Sequence, residues 1–273
     1  GQSQILPYVL GINSKSNYKF TIVSFEKKHN YKLQKEETQK LLKENFIDWK
    51  PLHYTKTPPI ISTLYDVIRM FFSISFINKN YKINLIHSRS YIASLVALKY
   101  VKKIPFIFDM RGFYADERLD GKIWNKKNYI HKVIYDYFKK KESKFLQKSS
   151  HTISLTKAAK KEIESMNLLS LSEITVIPCC TDENLFNINN IKNIKSSLGL
   201  TKTDFVISYV GSIGTWYMLD EMLSFFKKLK KRQHNAKFLF ITKDSQEFIY
   251  NRASINNIDL NCLIIKPAPR EEI

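Results

Sequence analysis

The fold is decided by one stretch, residues 205–216, which read FVISYVGSIGTW. Its first six residues are apolar, aromatic or β-branched apart from one serine, as in a strand buried on both faces. Two glycines follow three positions apart, and the apolar period beyond them changes to that of a helix. Only seven glycines occur in the 273 residues, so a turn that retains two of them needs their backbone freedom. The stretch predicts one strand–turn–helix unit of an α/β fold.

The same alternation of strand and helix patterns runs through the rest of the chain. Short apolar runs predict strands at 18–25, 84–88, 105–110, 151–155, 173–177, 205–210, 237–242 and 261–265. Amphipathic runs predict helices at 5–13, 60–78, 91–101, 122–146, 157–165, 216–232 and 245–254. Strands without strict alternation, separated by helices, indicate parallel sheets that are covered on both faces. The sequence therefore predicts an α/β fold of doubly wound parallel sheets.

A break in this alternation divides the chain near residue 180. Residues 177–186 read IPCCTDENLF, where Pro178 ends a strand pattern and the following polar residues have no period. The charge balance also changes here, from 31 basic and 15 acidic residues in 1–175 to 13 and 10 in 176–273. We predict two domains, residues 1–178 and 179–273. No strand precedes residues 1–4 and the second domain has only three, so we expect a fragment of a longer chain.

Composition excludes several classes of protein. With 44% apolar residues the chain is able to form a core, so it is not a disordered protein. Three cysteines, two of them adjacent, cannot form a disulfide framework. The longest apolar run, residues 60–77, contains Asp66 and Arg69 and makes a poor membrane-spanning helix.

The net charge of +19 is the strongest compositional signal. Lysine supplies 37 of the 44 basic residues and arginine only seven. Proteins that read nucleic acids rely on arginine and on aromatic platforms, so a basic nucleic-acid-binding protein is the least favoured class. Because the excess is confined to the first domain, net +16 against +3, that domain is predicted to face an anionic partner.

Polar residues lie at the carboxyl ends of two predicted strands, the edge where open α/β sheets bind their ligands. The candidates are His87 and Arg89 after one strand, Asp109 and Arg111 at the end of the next, and Glu117 in a predicted loop. The alternative is a local network of ion pairs, Asp109 with Arg111 and Glu117 with Arg118. Both interpretations stay open.

The glycine turn from Gly211 to Thr215 is the second candidate site. Backbone N–H groups of such a turn, at a helix N-terminus, favour a phosphate. Tight strand–helix turns also need glycine for structural reasons alone, so this alternative is open too. The turn matches neither G-x-G-x-x-G nor G-x-x-x-x-G-K-[ST]. A serine nucleophile elbow and a metal-ligand spacing are both absent from the sequence.

Five stretches in order resemble the motifs of family 4 (group 1) GT-B glycosyltransferases. They are GQSQILPY at 1–8, VSFEK at 23–27, DMRG at 109–112 with Asp116-Glu117, VIPCCTDENLF at 176–186 and YVGSIGTWY at 209–217. The resemblance covers essentially the whole chain. It implies two Rossmann-like domains facing a cleft, with the first strand of the first domain missing and the second domain truncated. The first domain would bind the acceptor and the second the nucleotide-sugar.

The resemblance also implies an activity. It is the retaining, metal-independent transfer of a hexosyl group from a UDP- or GDP-sugar, without a cofactor, to a glycan or lipid-linked acceptor in polysaccharide or glycolipid biosynthesis. The implied catalytic residues are Asp109, Arg111 and Glu117; the donor-binding residues are Gly211, Ser212, Gly214, Thr215 and Lys243; and the acceptor-binding residues are Gly1, Gln2, Ser3, Gln4, His87 and Arg89. A nucleotide-sugar 2-epimerase of the same fold is the alternative.

Three departures from the family pattern qualify these roles. Many relatives carry a histidine where this chain has Asp109-Met110-Arg111, and Trp216-Tyr217-Met218 replaces a basic residue that often holds the donor diphosphate. The paired-glutamate donor motif would lie beyond Ile273. We therefore expect this chain by itself to be inactive.

The segment from Lys122 to Lys148 predicts a membrane contact. It contains nine lysines against Asp136 and Glu142, a net +7, and its apolar residues recur at helical spacing. A surface helix packed on the sheet explains the apolar stripe, and compositional drift is the alternative explanation of the lysine excess. Polybasic segments bind anionic bilayers. We expect a cytoplasmic protein that binds the inner face of the cell membrane reversibly and in a salt-sensitive way, with no nucleic-acid partner.

Overall fold

The computed structural model describes residues 4–181, 183, 186–190, 194–214, 217–269 and 272. The chain divides into two compact units, Gly1–Cys179 and Cys180–Ile273. Each unit is built from parallel strands and helices, and the predicted α/β class is confirmed.

Unit 1 contains six strands in two parallel sheets. The first sheet pairs β1 (Thr21–Glu26) with β2 (Asp48–His53). The second has the order β3-β4-β5-β6, formed by Ile86–Arg89, Phe106–Met110, His151–Ser154 and Ile174–Val176. The strand order follows the chain order, so a helical crossover separates each pair of neighbours, as parallel pairing requires.

Seven helices accompany these strands. They are α1 (Ile5–Asn13), α2 (Lys28–Glu44), α3 (Ile61–Asn80), α4 (Ser90–Tyr100), α5 (Tyr114–Asp120), α6 (Tyr129–Lys148) and α7 (Lys157–Ser165), counted over the described residues. Two of them begin at side-chain caps. Asn128 accepts the amide of His131 ahead of α6, and Thr156 accepts that of Ala159 ahead of α7. Each such cap satisfies an N–H that the helix leaves unpaired.

The core of unit 1 is aromatic and lies on β4. Phe106 and Phe108 are fully buried, and Phe108 packs on Tyr91 of α4 and Phe145 of α6 with ring centroids 5.6 and 5.3 Å apart. Truncating one such ring to alanine costs about 3–5 kcal/mol. This packing makes β4 the rigid centre of the sheet, and β4 carries the candidate residue Asp109 at its carboxyl end.

The pair β1–β2 is a separate sheet rather than a continuation of β3–β6. Side chains bridge the two sheets instead of backbone hydrogen bonds: Val23, Phe25 and Leu52 pack with Met70 of α3 and Val96 of α4. The predicted parallel-sheet fold class holds, and in this unit the strands are divided between two sheets. Apolar side chains pack between the two sheets, and β3 is the edge strand at which the backbone hydrogen bonding of the second sheet ends.

Unit 2 has a three-stranded sheet in the order β7-β8-β9. The strands are Phe205–Val210, Ala236–Ile241 and Leu263–Lys266, and the helices are α8 (Leu219–Arg232) and α9 (Gln246–Ile255). Phe226 of α8 packs on Phe238 of β8, with ring centroids 5.2 Å apart. A single 3₁₀ turn, Ser196–Leu198, precedes Gly199.

All eight predicted strands are present, with ends within three residues of the prediction. Two predicted helix starts are wrong. The helix expected from residue 122 begins at Tyr129, because Lys122 has a φ of +55° and residues 122–128 form turns. The helix expected from residue 216 begins at Leu219, after Met218 in the left-handed conformation. Within the described residues, none of the helices combines the length and apolarity needed to cross a membrane.

Candidate functional site

The carboxyl ends of β3 and β4 bring four of the predicted residues together. Arg89 and Asp109 are register partners on these neighbouring parallel strands. His87 lies two residues before Arg89 and so shares its face of the sheet. Arg111 follows directly after β4. Parallel pairing therefore assembles one cluster, here called the Asp109 cluster: His87, Arg89, Asp109 and Arg111.

Asp109 is the centre of this cluster and only 5% of it is exposed. Its Oδ2 accepts a hydrogen bond from Arg89 Nη1 at 3.2 Å and lies 3.5 Å from His87 Nε2. Its Oδ1 lies 3.6 Å from Arg111 Nη1 but accepts no hydrogen bond. A buried carboxylate oxygen without a hydrogen bond is costly, and Arg111 is the charged group that faces this one.

Electrostatics keep the cluster charged. Burial raises the pKa of Asp109, but contact with His87 and the charges of Arg89 and Arg111 outweigh it and hold the pKa below its usual value. Burial and the neighbouring Arg111 together lower the pKa of Arg89. Two arginines face one carboxylate, so the cluster carries a net positive charge that favours an anionic or hydroxyl-rich ligand.

Gln4 and Cys179 complete the surroundings of the arginines. Gln4, the residue before α1, accepts through Oε1 from Nη2 of Arg89 and, at 3.4 Å, from Nη2 of Arg111. Cys179 Sγ lies 3.6 Å from Arg111 Nη2. The contact joins residues 68 positions apart, and nothing in the sequence indicated it. The other three residues predicted with Gln4, namely Gly1, Gln2 and Ser3, lie outside the described residues.

Glu117 lies on α5, not in the predicted loop. Its carboxylate rests against Gly112, where an added Cβ would lie 1.8 Å from Glu117 Oε1. Gly112 has a φ of +157°, which disfavours any side chain there. Desolvation raises the pKa of Glu117 above its usual value. A carboxyl group with a raised pKa is suited to proton transfer.

The alternative of local ion pairs is only half supported. Asp109 does contact Arg111, but within the part of the chain that the structure describes Glu117 forms no ion pair with Arg118. The Arg118 guanidinium instead lies over the rings of Tyr114 and Trp124, at 4.4 and 5.5 Å from their centroids. Arg118 therefore acts on Glu117 only through its charge, which lowers the pKa of Glu117 less than burial raises it.

The neighbouring Asp116 has a structural role that fixes α5. It accepts from Tyr135 Oη at 2.7 Å and from Lys139 Nζ at 2.9 Å, and Lys139 also pairs with the buried Glu142. Burial raises the pKa of Asp116, but the bonds from Tyr135 and Lys139 outweigh it and lower the pKa. The network ties α5 to α6 and so positions Glu117.

A cavity of about 140 Å³ opens beside these residues, at the carboxyl ends of β4 and β5. It is lined by residues 110–113 and 154–156, together with Ala159. Arg111 and Gly112 therefore border both the Asp109 cluster and a space open to a small group of a ligand.

In unit 2 the glycine turn follows β7 directly. Gly211 has a φ of +144°, and its N–H donates to Ile241 O at 3.0 Å as an extension of the sheet. The Tyr209 hydroxyl donates to Ser212 O at 2.7 Å and closes the turn. Gly214 has open space where a side chain would stand, and its carbonyl accepts the amide of Tyr217 at 3.0 Å.

Asp244 holds this turn from the end of β8, and the sequence reading missed it. Its carboxylate accepts the amide of the buried Ile213. The amides of Gly211 and Ile213 are therefore already used, and those of Ser212 and Gly214 are the donors left within the described part of the turn. Asp244 follows the carboxyl end of a predicted strand, where open α/β sheets bind their ligands, and this position could have indicated it from the sequence.

Lys243, Thr215 and a helix N-terminus are the other features predicted to bind the donor. Lys243 is exposed beside Asp244 at the carboxyl end of β8, whereas Thr215 lies outside the described residues. The helix after the turn starts at Leu219 with Asp220 and Glu221 in its first turn. The predicted contribution of a helix N-terminus to phosphate binding is thus weakened, because these acids already occupy the positive end of the dipole. Among the described residues, no three His, Cys, Asp or Glu side chains are grouped as metal ligands.

Comparison with known proteins identifies the family. The model of Glycosyltransferase Family 4 matches residues 16–185, which is more than half of the chain. The chain therefore belongs to glycosyltransferase family 4. No protein with a curated description matches the sequence.

Solved structures of the same fold include sucrose-phosphate synthase from Thermosynechococcus elongatus, with a TM-score of 0.64 at 11% identity. The match covers 83% of this chain and 56% of that enzyme, so the chain spans little more than half its length. HepE of Anabaena, solved with UDP and glucose, gives 0.57 at 10% identity, covering 92% and 70% of the two chains. A putative UDP-N-acetylglucosamine 2-epimerase from Listeria monocytogenes gives 0.57 at 12%, covering 98% and 67%. These likenesses show the GT-B fold.

Proposed function

We propose that the protein transfers a hexosyl group from a UDP- or GDP-sugar to a glycan or lipid-linked acceptor, with retention of configuration and without a metal. Membership of glycosyltransferase family 4 supports the reaction class. The observation that carries the proposal is the Asp109 cluster, in which two arginines surround a buried carboxylate with one unbonded oxygen. Retention and metal independence follow from the resemblance to the family.

The chemistry of transfer assigns a role to each group. Positive charge develops on the sugar ring and negative charge on the departing diphosphate. Asp109 would stabilise the cationic ring through its negative charge. Arg111 would hold Asp109 ionised. Glu117, with its raised pKa, would orient or deprotonate the acceptor hydroxyl.

The glycine turn of unit 2 would bind the diphosphate. Its amides at Ser212 and Gly214 are the available donors, and the exposed Lys243 would add a positive charge. Gly214 leaves space for a phosphate to approach the backbone. The UDP in the complex of HepE supports a nucleotide ligand for this fold.

The anionic partner of unit 1 would be a membrane surface at residues 122–148. Lys132, Lys140 and Lys144 are exposed on α6, and burial together with Lys144, Lys99 and Lys140 lowers the pKa of Lys141. This crowding of lysines from two helices would be relieved by anionic headgroups. The protein would then act on the cytoplasmic face of the cell membrane, in polysaccharide or glycolipid biosynthesis.

The test is a transfer assay with the complete protein, in which UDP- and GDP-sugars are offered with and without lipid-linked and soluble glycan acceptors. We expect nucleotide release that depends on acceptor, and a product whose anomeric configuration, read by NMR, equals that of the donor. Conversion of a UDP-sugar to its 2-epimer without acceptor would instead establish the isomerase alternative. Transfer abolished by chelators would contradict metal independence.

A further inference from the structure

The outer face of helix α3 is apolar and exposed. It consists of Ile61, Leu64, Tyr65, Ile68, Phe72 and Phe76, each with 44–66% of its surface accessible. At 100° per residue these six fall within an arc of about 120°, and they extend over about 22 Å of helix. Soluble proteins seldom expose a continuous apolar stripe of this size unless it is an interaction surface. We call these six residues the α3 outer face.

The opposite face of α3 already forms part of the core. Met70, Ile74 and Ile77 are buried there. The two charged residues between Ile61 and Ile77 are also turned to the protein. Buried Asp66 accepts from the amide and hydroxyl of Thr55, both at 2.9 Å, and Arg69 donates to a backbone carbonyl of β2 at 2.7 Å. Arg69 also lies over the Tyr65 ring, 5.3 Å from its centroid, and Phe72 packs edge-on against Phe71 with ring centroids 5.9 Å apart. All six residues of the outer face nevertheless keep 44–66% of their surface accessible.

The borders of the α3 outer face are basic. Lys56 precedes the helix, Lys79 lies in its last turn and Lys82 follows it, all exposed. Between residues 54 and 85 the only acidic residue is the buried Asp66. An apolar helix face with lysines at its edges and no exposed acid is complementary to an anionic lipid surface.

A second copy of the chain is a poorer occupant. Two α3 outer faces packed antiparallel would bring Lys79 of one copy near Lys56 of the other, and parallel packing would bring identical lysines together. Like charges at both ends oppose such a pair. A bilayer, in contrast, offers phosphates to the lysines and acyl chains to the rings.

We propose that the α3 outer face inserts into the interface of an anionic bilayer, with Phe72 and Phe76 at the acyl boundary and the bordering lysines at the headgroups. This inference rests on the membrane-docking part of the proposed function and names the apolar anchor for it. Helix α3 contacts α4, and α4 in turn contacts α6, so both proposed membrane elements belong to unit 1. The lysines at 122–148 would then attract the membrane at long range, and α3 would hold it.

The test is co-sedimentation of the full chain with vesicles of phosphatidylcholine alone or mixed equally with phosphatidylglycerol, at low and high salt. The variant is Phe72→Ser with Phe76→Ser. Its control is Phe225→Ser with Phe248→Ser, two similarly exposed rings in unit 2. We expect the variant to bind mixed vesicles at least tenfold more weakly, and the control to bind like the parent. Equal binding by all three, or none by the parent, overturns the inference.

Two further readouts separate the possible failures. Phe72→Trp should shift its emission to the blue on mixed vesicles, while Phe225→Trp should not. If Lys140→Glu with Lys144→Glu abolishes binding and the phenylalanine variant does not, the docking part of the proposed function stands and the α3 anchor is wrong. If the parent dimerises in sedimentation equilibrium and the phenylalanine variant is a monomer, a second copy covers this face and the inference also falls. None of these readouts depends on transferase activity.

Discussion

The β3–β6 sheet of unit 1 and the sheet of unit 2 present different groups at their carboxyl edges. In unit 1 the edge gathers charged side chains, and Asp109 is buried against two arginines. In unit 2 the edge is a backbone turn, closed by Tyr209 and held by Asp244. Removing one partner of a buried charge pair lowers the free energy of unfolding strongly, because the other charge stays buried without compensation. Removing one hydrogen bond of an exposed turn lowers it much less. Substitutions should therefore couple stability to activity in unit 1 and separate them in unit 2.

The largest effect is expected from Asp109→Asn. Loss of the carboxylate leaves Arg89 and Arg111 half-buried without their counter-charge, and breaking such a pair costs about 3 kcal/mol. Urea unfolding followed by tryptophan fluorescence would measure it, with Asp136→Asn on the exposed side of α6 as control. The control should change stability by less than about 0.5 kcal/mol. Equal stability of the two variants would show that the cluster is not held by charge.

Gly112→Ala tests the position of Glu117. The new methyl group would collide with the Glu117 carboxylate and adopt an unfavourable φ, at a cost of about 1–3 kcal/mol. Turnover of the complete protein should fall by about tenfold as the carboxylate moves away. Gly11→Ala in α1 has free space and an ordinary φ, and it should instead stabilise by about 0.5–1 kcal/mol. Unchanged turnover in Gly112→Ala would remove Glu117 from the catalytic set.

Asp244→Asn tests the unit 2 side of the comparison. The amide side chain retains an oxygen that accepts the Ile213 amide but removes a negative charge beside the predicted phosphate position. UDP binding should tighten by about fivefold, the equivalent of about 1 kcal/mol, with little change in the thermal midpoint. Weaker binding measured by calorimetry would mean that Asp244 contacts the ligand or that the turn depends on its charge.

The smallest effect is expected from pH. The folded pKa of Asp116 is lowered, so its stabilisation is complete above the unfolded pKa and is lost as pH falls through the folded value. The window therefore lies below about pH 4. Asp116→Asn should reduce the loss of stability in this range by at most about 1 kcal/mol, since the group is partly exposed. If the parent and Asp116→Asn lose the same free energy of unfolding below about pH 4, the hydrogen bonds from Tyr135 and Lys139 do not stabilise the ionised Asp116.

The strands could be predicted because buried parallel strands are continuous apolar runs, and all eight apolar runs form strands. Helix α2 and strand β2 were not predicted, because both lack such an apolar run. Only Leu42 of α2 is buried, and β2 contains Lys50 and Pro51 in a short exposed sheet, so neither has a strong apolar pattern. Helix α5 was missed because seven residues are too few for a period.

The candidate site could be predicted only where it lies at strand ends. Asp109, Arg111, His87 and Arg89 were found this way, because register brings successive strand ends together. Two contacts could not be predicted, because they depend on the tertiary path of the chain. They are the contact of Cys179 with Arg111 and the hydrogen bond from the Ile213 amide to Asp244. The exposure of the α3 outer face was equally out of reach, because an apolar run does not tell which of its faces is covered.

We assign nucleotide binding to the glycine turn of unit 2 and not to the Asp109 cluster of unit 1. The most direct test is calorimetric titration of UDP and GDP into three proteins: the parent, Gly214→Val and Arg111→Ala. Gly214 has room for a side chain and an unstrained backbone, so valine should leave the fold intact and block the phosphate. We predict that one of the two nucleotides binds the parent, that Gly214→Val weakens it at least tenfold, and that Arg111→Ala leaves it unchanged. Equal affinity of the parent and Gly214→Val, or a loss of affinity confined to Arg111→Ala, would contradict the account.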